Sequence, residues 1–217
     1  MIERQGNMLA TLEAQVDPKQ TAVLVVDIQN DFCAAGGTFD RSGKDLTFMR
    51  SVVPKVGSFL REVRHSGAKV IWIKMSLADQ WIGDPWRVNL VRRDLLSICV
   101  PGTWGEDYYE IRPAPGDIEV AKYRYSAFVG TNLELILKRL GIKTLIMTGM
   151  ATNVCVESTA RDAFMRDFYV VFLEDCLAAG TREAHEASLR TLGDSFGFVT
   201  SSSEVVTIWS NLRESSK

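Results

Sequence analysis

The sequence predicts an α/β fold: one domain spanning residues 1–217, built on an open parallel sheet with helices on both faces. Three observations carry this reading. Strand-length apolar runs alternate with segments of helical periodicity, and no linker, repeat or low-complexity stretch interrupts the alternation. A chain of 217 residues is also long enough to bury one large core without disulfide staples. Strands separated by helices pair in parallel through right-handed crossovers, because a tight hairpin cannot join them.

The elements follow in order. AVLVVD (Ala22–Asp27) is short, β-branched and closed by a polar cluster, as a strand buried on both faces should be. Lys44–Ser66 carries Leu46, Met49, Val52, Val53, Val56, Phe59, Leu60 and Val63 at helical spacing, with Gly67 as its stop. Pro54 lies inside that pattern and predicts a first turn or a kink there. AKVIWIK (Ala68–Lys74) is the second strand. Residues 75–117 are irregular, hold Trp81, Trp86 and Trp104, and predict a helix only around Asn89–Ser97. Ile118–Lys122 forms a third strand, Thr131–Leu140 a helix stopped by Gly141, and Lys143–Thr148 a fourth strand. A helix over about Asn153–Arg166, a fifth strand Tyr169–Asp175, a helix Thr181–Leu192, a short strand Gly197–Thr200 and a last helix Ser203–Trp209 complete the pattern. The arm over residues 1–18 has enough apolar residues between Ile2 and Val16 to dock on a neighbouring subunit.

Composition removes several function classes. Lys and Arg total 25 against 27 Asp and Glu, a net charge of −2, so the clustered basic excess of a nucleic-acid binder is missing. The longest useful uncharged stretch, Thr144–Val156, has 13 residues, short of the roughly 18 to 20 that a membrane helix needs. The first twenty residues mix both charge signs and lack the apolar run of a signal peptide. Cys33, Cys99, Cys155 and Cys176 form no CxxC pair and read as reduced thiols of a cytoplasmic protein. Of the two histidines, His65 reads as a cation at a helix end and His185 as an exposed residue on an amphipathic helix. No cofactor and no metal are expected.

Open α/β sheets take their ligands beyond the carboxyl ends of the strands. Asp27 ends the first strand, Lys122 ends the third, and Cys155 lies just past the fourth at a helix start. A carboxylate, an ammonium and a thiol thus share one sheet edge. A thiol in a first helical turn meets unpaired backbone N–H groups and the positive end of the helix dipole, which favour thiolate and could hold an oxyanion. The plain alternative is a small buried hydrophobe. Asp27 could accept the thiol proton and return it to a leaving amine, or merely cap the turn through Gln29–Asp31. Lys122 could hold both partners ionised, or be an ordinary surface lysine. Cys33, without a base, and Cys176, beside Glu174 and Asp175, read as structural.

VLVVDIQNDFC (Val23–Cys33), AKYRYSAF (Ala121–Phe128) and TGMATNVCVESTARDAF (Thr148–Phe164) resemble the isochorismatase-like cysteine hydrolases, in the same order and spacing over about Thr21–Val199. GGTFD (Gly36–Asp40), Lys122–Ser126 and ATNVCVEST resemble the ureidoacrylate amidohydrolase branch, with biuret-type hydrolases next. The resemblance implies a six-stranded sheet in order 3-2-1-4-5-6 and an Asp27–Lys122–Cys155 triad with Cys155 as nucleophile. It also implies a non-proline cis peptide at Met150–Ala151, an oxyanion hole made by the Ala151 and Cys155 amides, and a homo-oligomer, dimer or tetramer. Metal-dependent nicotinamidases of this group place an Asp and histidines after the second strand. The stretch MSLADQWIGDPW here offers Asp79 and Asp84 but no histidine. Isochorismatases proper cleave a vinyl ether without the cysteine, so Cys155 argues against that reaction.

The expected activity is therefore hydrolysis of a C–N bond in a small ureido or amide compound, through a thioester, with release of ammonia or carbamate. Biuret, other acyl ureas and primary amides are the alternative substrates. Of the rivals from other classes, a nucleotide-binding module lacks both GxGxxG and GxxxxGK[ST], and a non-catalytic binder would normally have lost a triad member. Candidate substrate contacts are Tyr125 through its hydroxyl, Phe32 and Trp72 as apolar wall, and Asn89 and Arg87 for a polar or carboxylate end. Trp81, Trp86 and Trp104 suit a subunit interface as well as a substrate.

Overall fold

The computed structural model describes residues 8–214. Its frame is a six-stranded parallel sheet: β1 (Thr21–Val26), β2 (Lys69–Met75), β3 (Ile118–Lys122), β4 (Thr144–Met150), β5 (Tyr169–Ala178) and β6 (Phe198–Thr200). The spatial order is β3-β2-β1-β4-β5-β6 and every pair is parallel, as expected. β1 and β4 are buried at every position, which is why their sequences read as unbroken apolar runs rather than alternating ones.

The helices among the described residues are α1 (Leu12–Gln15), α2 (Asn30–Cys33), α3 (Thr38–Arg41), α4 (Thr47–Ser66), α5 (Asp84–Arg92), α6 (Leu133–Arg139), α7 (Glu157–Phe164), α8 (Arg182–Ser195) and α9 (Ser202–Glu214). α4 ends at Gly67, whose φ of +87° only glycine adopts without cost. The helix continues past Pro54 and does not start at it. Its stripe from Met49 to Val63 is buried against the core, which offsets the hydrogen bond that proline cannot donate. α5 begins at Asp84, earlier than the expected Asn89, because Pro85 pre-sets the first turn.

The strand register sets the position of the site. Val26 pairs with Ile73 on one side and Gly149 on the other, and Met75 pairs with Lys122. The carboxyl ends of β1, β2, β3 and β4 are therefore level. Gly149 has φ +100°, and a Cβ built on it would fall 2.1 Å from the Val26 carbonyl oxygen. The bare backbone at this position lets β4 lie tight against β1 where both approach the site. The Met150–Ala151 peptide that follows is cis, as the resemblance implied.

The amino-terminal arm is only partly described, and residues 1–7 lie outside the described residues. The remainder packs on its own chain: the Leu9 N–H donates to the Tyr169 hydroxyl at 3.1 Å, and Trp209 Nε1 donates to the Val16 carbonyl at 2.6 Å. No helix of the described residues is long and apolar enough to cross a membrane.

Candidate active site

Asp27 follows β1 with φ +51°, a left-handed turn that takes the chain out of the sheet while its N–H still donates to the Ile73 carbonyl at 2.9 Å. Lys122 is the last residue of β3 and is wholly buried, and Asp27 is 1 % exposed. Cys155 sits in a widened helical turn, Thr152–Val156, that bridges β4 and α7. The Cys155 carbonyl accepts the Thr159 hydroxyl at 2.7 Å, and Thr159 in turn accepts the Ala127 N–H at 3.0 Å. The Cys155 turn and the loop after β3 are thereby tied to one hydroxyl.

These three side chains meet. Lys122 Nζ lies 2.8 Å from Asp27 Oδ2 and 3.4 Å from Cys155 Sγ. It also donates to the Arg124 carbonyl at 3.2 Å. Neither Asp27 oxygen receives a well-aligned hydrogen bond, even with the ammonium beside it. The ammonium holds the carboxylate in place chiefly by charge.

Burial dominates the electrostatics. It raises Asp27 above the ordinary carboxylate value, against the pull of the Lys122 ammonium. Burial alone would lower Lys122, but Asp27 and Cys155 outweigh it, so the group is held as ammonium. Burial pushes the Cys155 thiol up to about 12, Lys122 drawing it down and Asp27 pushing it further up. Burial thus opposes the thiolate that a helix start favours. The carboxylate that shares the Lys122 ammonium with this thiol is Asp27. A raised pKa does not distinguish Cys155, since burial also lifts Cys33 and Cys176 to about 12. Its contacts do: the Cys33 sulfur lies 3.2 Å from Met150 Sδ and Cys176 borders Asp175, whereas the Cys155 sulfur lies 3.4 Å from an ammonium nitrogen that also touches a carboxylate.

Cys155 and Ala151 open into a cavity of about 480 Å³. A larger cleft of about 710 Å³ between α4 and α8 holds no member of the triad. Phe32 lines the Cys155 cavity, edge-on to Phe39 with ring centres 5.0 Å apart. Tyr125 also lines it, packed on Trp86 at 4.6 Å. The Tyr125 hydroxyl accepts from Arg93 Nη1 at 3.1 Å and donates to Asn89 Oδ1 at 3.4 Å. Asn89 thus stands behind Tyr125 and does not line the cavity.

Two candidates lie elsewhere. Trp72 is buried in the core against Tyr108, with Nε1 donating to Asp117 at 2.9 Å, so its indole N–H is satisfied away from the cavity. Arg87 pairs with Asp79 at 2.8 Å on the surface. His185 is buried rather than exposed, bonded through Nδ1 to the Thr152 hydroxyl at 2.9 Å and edge-on to Phe48, and burial lowers its pKa. α8 packs this face against the turn after β4, which an amphipathic pattern alone cannot reveal. Sequence reasoning missed Arg93 and Lys44, both on the cavity wall. The signal was Pro85: a helix started there puts Trp86, Leu90 and Arg93 on one face and Arg87 off it.

The residues do not fit a metal centre. Asp79, the carboxylate after β2, is largely exposed and engaged by Arg87, and no group of three or more His, Cys, Asp or Glu among the described residues could hold an ion.

Comparisons with known proteins bear on this geometry. Residues 21–204 match the family model described as the isochorismatase domain. The structure is similar to a cysteine hydrolase from Pseudomonas syringae pv. phaseolicola 1448A, at 26 % identity and a TM-score of 0.81 over 91 % of this chain and 95 % of that one. It is similar to an isochorismatase-like hydrolase from Alkaliphilus metalliredigens, at 30 % identity and a TM-score of 0.76 over 88 % and 99 % of the two chains. It is also similar to the nicotinamidase PncA of Bacillus subtilis, at 27 % identity and a TM-score of 0.71 over 83 % and 99 %.

Proposed function

This chain belongs to the isochorismatase family of cysteine hydrolases, whose members act on amide C–N bonds, and we propose that it is a cysteine-dependent amidohydrolase of small ureido or amide compounds of the ureidoacrylate type. The reading takes residues 1–217 as one domain and Asp27, Lys122 and Cys155 as the catalytic groups. The observation that carries it is the single buried ammonium of Lys122, within 2.8 Å of a carboxylate oxygen and 3.4 Å of a thiol sulfur at the wall of a cavity.

The chemistry follows from the protonation states. Asp27 takes the Cys155 proton as the sulfur attacks the substrate carbonyl, and Lys122 offsets the charge on sulfur and carboxylate. The backbone N–H groups of Ala151 and Cys155 receive the oxyanion. The amine or ammonia departs with the proton from Asp27, leaving a thioester. Water, deprotonated by the same carboxylate, then attacks the thioester and releases the acid. From a ureide the product is a carbamate, which loses carbon dioxide. Phe32 and Tyr125 line the substrate space. The reading extends to a reducing compartment such as the cytoplasm, supported by four free, buried cysteines. It extends also to a homo-oligomer, supported by exposed Trp81 and Trp104.

Ammonia release across a panel of ureido acids, biuret-like compounds and primary amides tests the proposal. Turnover of at least one class by the native protein, and none by a folded Cys155→Ala variant, is the expected outcome. Undiminished turnover by Cys155→Ala would end it.

A further inference from the structure

The wall of the cavity beside Cys155 carries more positive than negative charge, and its cations form no ion pair among the described residues. Arg93 follows α5 as its cap and reaches the cavity half-buried. Its Nη1 donates to the Tyr125 hydroxyl at 3.1 Å and touches Asn89 Oδ1 at 3.5 Å, both neutral acceptors. Among the described residues no carboxylate forms an ion pair with it. Lys44 lies on the same wall over the Phe39 ring, at 5.2 Å, again without a carboxylate partner. The one exposed acid of the lining, Asp45, uses its carboxylate to accept the Thr47 N–H at 2.8 Å.

We propose that this cavity selects substrates bearing a carboxylate at the end remote from the scissile C–N bond, received by the guanidinium of Arg93 with Lys44 as a second cation. The inference rests on the hydrolase reading of Cys155 and adds the substrate's charge to it. A half-buried guanidinium without a counter-ion is costly to desolvate, and a single N–H bond to a phenol engages only a small part of its five-donor fork. A planar carboxylate matches that fork in two parallel bonds, which an amide or hydroxyl cannot. Trp86, Leu90 and Phe32 give the same lining apolar surface, which suits a carbon spacer between the two polar ends of the molecule.

Alkylation of Cys155 reads this selectivity without knowledge of the natural substrate. Iodoacetate and 3-iodopropanoate differ from iodoacetamide and 3-iodopropanamide only in replacing a neutral amide by a carboxylate. In each case the sulfur displaces iodide, an S–C bond replaces C–I, and the thiol proton passes to Asp27. With labelled peptides quantified by mass spectrometry, the acid of at least one pair should modify Cys155 about ten-fold faster than its amide. Lys122 favours anions at the same sulfur, so the decisive quantity is the change in this ratio between native and variant protein. Arg93→Gln should bring the ratio close to that of a free thiol, Arg93→Lys should keep part of it, and Lys44→Gln should reduce it less. In the native protein, succinamate should protect Cys155 from iodoacetamide at concentrations where butyramide does not, a comparison that needs no variant. Equal rates for acid and amide in both pairs, an unchanged ratio in folded Arg93→Gln, or equal protection by the two amides would each overturn the carboxylate inference while leaving the hydrolase reading in place. If no reagent prefers Cys155 to Cys33, Cys99 and Cys176, the reactive-thiol reading falls and this inference with it.

Discussion

Two regions enclose the cavity and are built in different ways. The carboxyl ends of β1, β3 and β4 form a platform whose functional side chains are almost fully buried and fixed by strand register. The segment over residues 76–117 is a cover of short helices and turns. It leaves Trp81, Val88, Val91, Leu96 and Trp104 exposed and has left-handed backbone at Asp94, Cys99 and Glu110. The platform supplies the proposed catalytic groups; the cover supplies Trp86 and Arg93 to the cavity wall. Reaction geometry tolerates displacements of well under an ångström, so it sits on paired strands, whereas selectivity can be changed on a segment that carries little of the core.

The two are joined by buried polar groups that follow β1. Asp31 accepts the Cys99 N–H at 2.6 Å and, on its other oxygen, the Thr38 N–H and hydroxyl at 2.8 Å each. Gln29 donates to the carbonyls of Met75 and Glu106 at 2.9 and 2.8 Å. The cover is thus hung on the same short stretch that delivers Asp27, which keeps the cavity mouth in register with the chemistry below it.

The sharpest test of this division removes the proton acceptor from the platform. Asp27→Asn should lower kcat/KM by about a thousand-fold, the middle of the range for a positioned acid–base group. A loss below ten-fold would mean that the thiol ionises unaided. The pH profile addresses the same point. Asp27 is raised above its ordinary value and Cys155 lies at about 12. Activity should therefore rise through a limb above the usual Asp range, as the carboxylate becomes able to accept a proton, and then level off across neutrality. A rate still climbing at pH 9 would place the thiol, not the carboxylate, in control.

The next effect is structural and belongs to the platform alone. Gly149→Ala places a methyl group against the Val26 carbonyl on a backbone at φ +100°, and should cost about 2–3 kcal/mol in denaturant unfolding. A neutral result would show that the strand ends can yield, and the contrast with the cover would weaken. The smallest effect belongs to the wall: Tyr125→Phe keeps the packing on Trp86 but deletes the hydroxyl that Arg93 and Asn89 hold. KM should rise several-fold with kcat little changed, the signature of about 1 kcal/mol of binding lost equally from substrate and transition state. A fall in kcat instead would move Tyr125 from recognition into the chemistry.

The same division explains what the sequence could reveal. A buried parallel strand is a local apolar run, and its last polar residue marks the sheet edge, so Asp27 and Lys122 are legible from neighbours in the chain. Cys155 is legible because it closely follows such a run. The state of its thiol is not, because the burial that raises it is set by tertiary packing and not by neighbours in the chain. The irregular segment offers no such run, and there Arg87 and Arg93 look equivalent until the helix start at Pro85 fixes which faces inward. Trp72 and His185 fail for the reason that makes the platform legible: periodicity says that a side chain is buried, not which neighbour it meets.

The bond from Trp209 to Val16 has a practical consequence for handling the protein. It lays the last helix against the segment that leads into β1, beside the amino ends of the strands, and so on the side away from the catalytic mouth. A tether or fused partner attached near that latch would orient the molecule with its opening toward bulk solvent, leaving diffusion of small reactants unobstructed on a solid support.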